Sequence, residues 1–293
     1  MNGLVLSGAG GAIGFLAGAL SVVMKEIQHD KVVGVSAGAL TGIMYACRRM
    51  DRLQELLITI EDKDVVNKRL KKYARRLLFH LIGIATPIKG IYDNTPLRKL
   101  IRKELMGQMV HIHYTCVSVN AHTGQEIWWQ IPKGTIFTDA DVDSFISMII
   151  SSTAIPGIFP PEKIGRQYYV DGGVKTHTPI QPTKQFLPQA DHLTIISTGA
   201  RERRQIENIK SDLDYLPEVL TDLISLVPEK DFTDFDYRNQ LAQCGHPDYR
   251  YFPSLIIKPT QALAPATRFH HEFIQKDWRH GEEQAQKILG MRA

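Results

Sequence analysis

Twice within the first fifty residues a short apolar run ends in a glycine-bearing turn and passes straight into a helical pattern. Leu4-Val5-Leu6 is the core of a strand over residues 3–7. It stops at Gly8-Ala9-Gly10-Gly11, and a helix follows over residues 14–28. A second strand over residues 31–35 runs into Gly34-Val35-Ser36-Ala37-Gly38. The helix after it, over residues 37–50, has Leu40, Ile43, Met44 and Cys47 at helical spacing. Strand, helix, strand, helix in so short a span predicts parallel strands joined by crossover helices, an α/β fold with helices packed on its sheet.

The rest of the chain extends this pattern. Residues 51–106 read as helical and strongly basic, with Thr95 as an N-cap and Pro96 at a first helical position. Residues 114–119 and 126–129 flank His122-Thr123-Gly124 as a β-hairpin. A short helix over 144–152 precedes a loop broken by Ile155-Pro156-Gly157 and Phe159-Pro160-Pro161. A strand over 167–170 then ends at Asp171-Gly172-Gly173. Further elements are expected at 192–197 (strand), 207–243 (helical), 254–258 (edge strand) and 268–289 (helix). No repeat or linker divides the chain. One domain over 1–293 is therefore expected, with its core in 3–200 and a helical region over 201–293 packed on it.

Composition excludes several classes. A net charge of +4 is too weak to argue for nucleic acid. Cys47, Cys116 and Cys244 lie far apart and are odd in number, which fits reduced thiols of a cytoplasmic-type protein and not a disulfide framework. Gly10, Gly14 and Gly18 have the small-xxx-small spacing of packed membrane helices. However, no Lys or Arg precedes this uncharged stretch, and glycines crowd residues 8–14. Neither a signal peptide nor a transmembrane helix is expected.

Gly34-Val35-Ser36-Ala37-Gly38 matches G-x-S-x-G between a strand and a helix, the context of a nucleophile turn. The other reading is a tight turn without chemistry. The glycine loop at 8–11 also opens a helix. It lacks the full G-x-G-x-x-G and the later acidic residue of a dinucleotide site, and it lacks the lysine of a P-loop. An oxyanion hole, built from N–H groups of Gly8, Ala9, Gly10 and Gly11, is the remaining functional reading. A Ser–Asp–His hydrolase of the α/β type places several strands ahead of its serine, whereas one strand precedes Ser36 here. Eleven histidines are scattered, and His177, six residues after Asp171, is the one nearest a motif. Asp171 ends a strand before Gly172 and Gly173, which suits either a carboxylate reaching a neighbouring turn or a plain Asp-Gly turn.

Taken together and in order, Leu6-Ser7-Gly8-Ala9-Gly10, Gly34-Val35-Ser36-Ala37-Gly38 and Asp171-Gly172-Gly173 resemble the patatin-like phospholipase family. Gly90-Ile91-Tyr92-Asp93 before Pro96-Leu97, the hairpin with Thr123-Gly124, and the run from Ser151 to Pro161 resemble it too. The resemblance covers residues 3 to about 200. It implies a three-layer α/β/α fold with a mainly parallel central sheet. It also implies a Ser–Asp dyad without histidine, in which Ser36 attacks an ester carbonyl and Asp171 accepts its proton. The glycine loop would hold the oxyanion, with Gly34, Gly38, Gly172 and Gly173 as supports and neither metal nor organic cofactor. Two positions depart from the family pattern. Ala12 and Ile13 stand where it has a basic residue and a last glycine, and His177 stands where Asn is common.

The activity so implied is phospholipase A or lysophospholipase-like hydrolysis of lipid esters. Acyl transfer through the same acyl-enzyme is an alternative, and a lipid- or protein-binding module that has lost turnover is another. Lys68, Arg69, Lys71, Lys72, Arg75 and Arg76 crowd nine positions, with Leu70, Tyr73, Leu77, Leu78 and Leu81 among them at helical spacing. This basic amphipathic stretch suits an anionic membrane surface or, equally, the solvated face of a packed helix. A cytoplasmic protein, peripheral at a membrane, is expected.

Overall fold

The computed structural model describes residues 1–65, 67–68, 90–180, 190–199, 227–265 and 268–291. In chain order these form β1 (Asn2–Leu6), α1 (Ile13–Glu26), β2 (Lys31–Gly34), α2 (Ala37–Ala46), α3 (Met50–Leu57), α4 (Asp62–Val65), β3 (Asn67–Lys68), β4 (Tyr92–Asp93), α5 (Thr95–Leu105), β5 (His113–Asn120), β6 (Glu126–Ile131), α6 (Val142–Ser151), β7 (Glu162–Ile164), β8 (Gln167–Asp171), β9 (His192–Ile196), α7 (Val227–Gln243), β10 (Ser254–Ile257) and α8 (His271–Ile288).

Strands β10, β9, β1 and β2 lie side by side, all parallel, and β2 continues the parallel pairing onto the first half of β5. Strands β6, β8 and β7 add antiparallel pairs. Alternation along the strands sorts the core into two faces. Leu4, Leu6, Val32, Cys116, Ile196 and Ile257 join a cluster with Phe15 and Leu16 of α1, Ile43 of α2, Ile146 of α6 and Trp278 of α8. Val5, Val33, Val117 and Ile195 point the other way, toward Phe232 and Phe235 of α7. Helices therefore cover both faces of a mostly parallel sheet.

Register around β5 is what positions the site. Residues 114–119 pair with β6 along one edge. The other edge is divided: β2 pairs with residues 113–116 and β8 with residues 118–120. Because β2 is parallel to β5 and β8 antiparallel, their carboxyl ends approach each other head-on. Gly34 stands opposite Cys116 and Asp171 opposite Ser118, leaving only Val117 between them.

The Gly14 and Gly18 spacing serves packing within the protein. A Cβ on Gly14 would sit 2.2 Å from the Ile274 carbonyl oxygen, and one on Gly18 would sit 2.1 Å from that of Trp278. Gly281 of α8 answers from the other side, its Cβ position 2.3 Å from the Phe15 carbonyl oxygen. The stripe thus lets α1 and α8 approach backbone to backbone. Among the described residues, no helix is long and apolar enough to cross a membrane.

Several expected elements differ. The second helix ends at Ala46, not Met50, because Arg48 turns left-handed at φ 57°. Arg48 N then bonds the Tyr45 carbonyl at 2.9 Å and Arg49 N the Met44 carbonyl at 2.8 Å, a Schellman closure. Tyr92 and Asp93, placed in a helical region by the sequence reading, pair antiparallel with Lys68 and Asn67. The edge strand expected at 254–258 is present as β10, at the end of the sheet beside β9. Of the basic stretch, Lys68 lies in β3, and Arg69, Lys71, Lys72, Arg75 and Arg76 lie outside the described residues.

Candidate active site

At the end of β2 the chain reverses sharply through Ser36, whose φ of 56° and ψ of −123° are rare for a residue with a side chain. The crossing is tight enough to require glycine on both sides. A Cβ on Gly34 would lie 2.3 Å from the Gly38 carbonyl oxygen, and one on Gly38 would lie 2.3 Å from that of Ser7. Helix α2 begins at Ala37, so the positive end of its dipole lies next to the serine, while the Gly38, Ala39 and Leu40 N–H groups already bond the Val35 and Ser36 carbonyls. Ser36 itself is 8% exposed.

Asp171 closes β8 and is 2% exposed. Its Oδ1 accepts the Gly173 N–H at 2.7 Å, while its Oδ2 is buried without a hydrogen-bond partner. Burial pushes its pKa up to about 7, against the opposing pull of the Gly173 N–H and of the Ser36 side chain beside it. Gly172 is fixed by space: a Cβ there would lie 2.4 Å from the Val117 carbonyl oxygen.

The segment following α6 braces both residues. Ser152 Oγ accepts the Ser36 N–H at 3.1 Å and donates to the Val117 carbonyl at 2.6 Å. Two residues on, the Ala154 carbonyl accepts the Asp171 N–H at 2.9 Å. An apolar cavity opens beside Ser36. Ile13, Ala37, Leu40, Leu57, Ile60 and Val65 line it, together with Tyr92, Leu97, Ile155, Ile158, Phe159 and Phe269.

The family model for patatin-like phospholipase matches residues 4–184, more than half of the chain. The chain belongs to the patatin-like phospholipase family. Among solved structures, it resembles the crystal structure of VipD from Legionella pneumophila. That match has a TM-score of 0.46 and 14% identity, covers 99% of this chain and spans 66% of the length of that one.

Within this patatin-like chain the positions of the glycine loop are not equivalent. Gly8 N is already committed to the His177 carbonyl at 2.8 Å, which corrects its assignment to the oxyanion hole. Gly10, at φ 54°, lines the cavity with Ser36. Gly11 accommodates a close approach, since its Cβ would lie 2.2 Å from the Arg268 carbonyl oxygen and 2.3 Å from that of Pro265. Ala9 is buried. The departure at position 13 has a visible use: Ile13 is part of the cavity wall.

His177 supports the glycine loop. Its carbonyl takes the Gly8 N–H, and its ring packs so that a Cβ on Gly8 would lie 3.0 Å from Nε2. Asp231 of α7 holds this segment in turn, Oδ2 accepting the Thr178 N–H at 2.7 Å with the His177 N–H also directed at the carboxyl. Sequence reasoning missed Ser152 and Asp231. Ser152 stood inside the family-like run from Ser151 to Pro161, but nothing there marked its role; for Asp231, in a polar helical stretch, there was no signal.

Proposed function

We propose that the protein hydrolyses acyl esters of lipids, with Ser36 as nucleophile and Asp171 as its base. One observation carries the reading: a serine on a strained turn stands beside a buried carboxyl with an unpartnered oxygen, at the head of an apolar cavity. A carboxyl poised at about pH 7 suits a general base better than an ordinary aspartate does.

Asp171 Oδ2 takes the hydroxyl proton as Ser36 Oγ bonds to the ester carbon, and the carbonyl electron pair moves to oxygen. The N–H groups of Gly10 and Ala37 offer donors for that oxyanion. Collapse breaks the ester C–O bond, and the proton passes from Asp171 to the departing alcohol. Water then repeats the sequence on the acyl-serine, with Asp171 again taking the proton, and releases the carboxylic acid. The apolar cavity holds the acyl chain. The basic stretch over residues 68–76 is proposed to meet anionic membrane; neutralising it should weaken hydrolysis on anionic vesicles and spare a soluble short-chain ester.

The deciding experiment is lipid-extract hydrolysis with mass-spectrometric product identification, alongside fluorophosphonate labelling. Ser36→Ala should abolish labelling and lower the rate by about 10³ or more, and Asp171→Asn should lower it comparably. Undiminished hydrolysis by Ser36→Ala overturns the proposal.

A further inference from the structure

Away from Ser36, one group of ligand-type side chains comes from two chain segments that meet only in the fold. Glu61 precedes α4, while His270 and His271 stand at the start of α8. His271 Nδ1 lies 3.0 Å from Glu61 Oε1, and His270 Nε2 lies 3.9 Å from Glu61 Oε2. One ligand atom from each of the three falls within 4.8 Å of the others. The two imidazoles are stacked, their ring centres 4.6 Å apart and planes 25° from parallel, so neighbouring residues present nitrogens to one carboxylate.

We propose that Glu61, His270 and His271 bind a first-row divalent cation of the zinc class. Two imidazoles with one carboxylate are a donor set for Zn²⁺ or Co²⁺, whereas Mg²⁺ and Ca²⁺ select oxygen. A hydrogen bond between His271 and Glu61 would need no second imidazole beside the same carboxylate. The other nitrogen of His270, Nδ1, accepts the Glu272 backbone N–H at 3.4 Å as the cap of α8, and when Nε2 binds metal Nδ1 would give up that bond and carry the ring proton, with Glu272 Oε2 3.9 Å away to receive it. All three side chains are partly exposed, which leaves them the freedom to close onto metal–ligand distances of about 2.0–2.2 Å. Three protein ligands leave a coordination position for water.

Such an ion would bridge the segments that wall the cavity. Ile60 and Phe269, sequence neighbours of the ligands, both line it, and the Phe269 N–H already bonds Asp62 Oδ1 at 2.8 Å. The proposal stands independently of the hydrolytic reading.

The test uses the full chain, stripped with chelator, in a Cys244→Ala background that removes its exposed thiol. Thermal unfolding and isothermal titration with Zn²⁺ and Mg²⁺ are compared across that background protein, Glu61→Gln, His270→Gln and His271→Gln, with Co²⁺ absorption as a direct report of ligation. Zn²⁺ but not Mg²⁺ should raise the unfolding temperature, and Co²⁺ should give visible ligand-field bands. Each substitution should weaken Zn²⁺ binding by about tenfold or more, in line with loss of one ligand. Metal-free unfolding temperatures show whether a variant has kept its fold. Equal Zn²⁺ response in all four proteins, or none in the background protein, overturns the proposal.

Discussion

The Ser152 hydroxyl accepts the backbone N–H of Ser36 at 3.1 Å while donating to the Val117 carbonyl at 2.6 Å. One buried side chain therefore ties the strained turn to the strand beside it. Ser152→Ala leaves a buried N–H and a buried carbonyl unpaired, at a cost of about 1–3 kcal/mol. A shift of the serine by a fraction of an ångström should reduce kcat by between about tenfold and 10²-fold. Denaturant midpoints and steady-state kinetics on a soluble ester measure both. A stability loss without any fall in kcat would mean that Ser152 supports the fold but not the turn.

The Asp171 carboxyl gives the proposed reaction a pH signature. As a base it must be ionised, so kcat/KM should rise with pH through about 7 and level off above it. Stability should move in the opposite sense. A carboxyl whose pKa is raised on folding binds its proton more tightly in the native state. Its contribution is full below the ordinary Asp value of about 3.9 and is lost as pH climbs toward 7. Asp171→Asn removes this titration. Denaturant unfolding at a series of pH values should show a shallower decline for Asp171→Asn than for wild type between about pH 4 and 7.

The two turns and the carboxylate were legible in sequence because each needs glycine where backbones cross, and Gly34, Gly38 and Gly172 all abut carbonyl oxygens. The meeting of Ser36 and Asp171 was legible only through the family resemblance. It depends on β2 and β8 sharing one edge of β5 from opposite directions, and pairing partners leave no periodic trace along the chain. The commitment of the Gly8 N–H was not legible for a related reason. Gly8 gives its N–H to His177, a residue 169 positions away, and composition says nothing of such a bond. The glycine stripe of α1 illustrates the converse. Its spacing was plain, but whether it faced lipid or a protein helix depended on α8, at the far end of the chain.

Asp231 should act on catalysis from a distance. Its carboxyl accepts N–H groups of Thr178 and His177, and the His177 carbonyl in turn accepts from Gly8. Asp231→Ala strips an acceptor from buried donors and should cost about 1–3 kcal/mol while lowering kcat more than it alters KM. Asp231→Asn keeps an acceptor oxygen and should recover most of the kcat. Burial raises the Asp231 pKa to about 7, so Asp231→Asn, like Asp171→Asn, should flatten the loss of stability as pH rises from about 4 to 7. Equal kcat for Asp231→Ala and wild type would remove the link to the glycine loop.

Gly18→Ala sets two known effects against each other. In an exposed helix interior, replacing glycine by alanine stabilises by about 1 kcal/mol through helix propensity. Here the added methyl would lie 2.1 Å from the Trp278 carbonyl oxygen and 2.8 Å from its carbon, both backbone atoms that cannot rotate away. Relief requires α1 and α8 to separate, and overpacking of this kind costs about 1–3 kcal/mol. The clash should win, giving a net loss of stability. Separation of the helices would also move the start of α8, where Phe269 walls the cavity, so long-chain esters should suffer more than short-chain ones. Chemical unfolding and an ester chain-length series measure the two effects. An alanine variant more stable than wild type would mean that the helices are not held at this distance in solution.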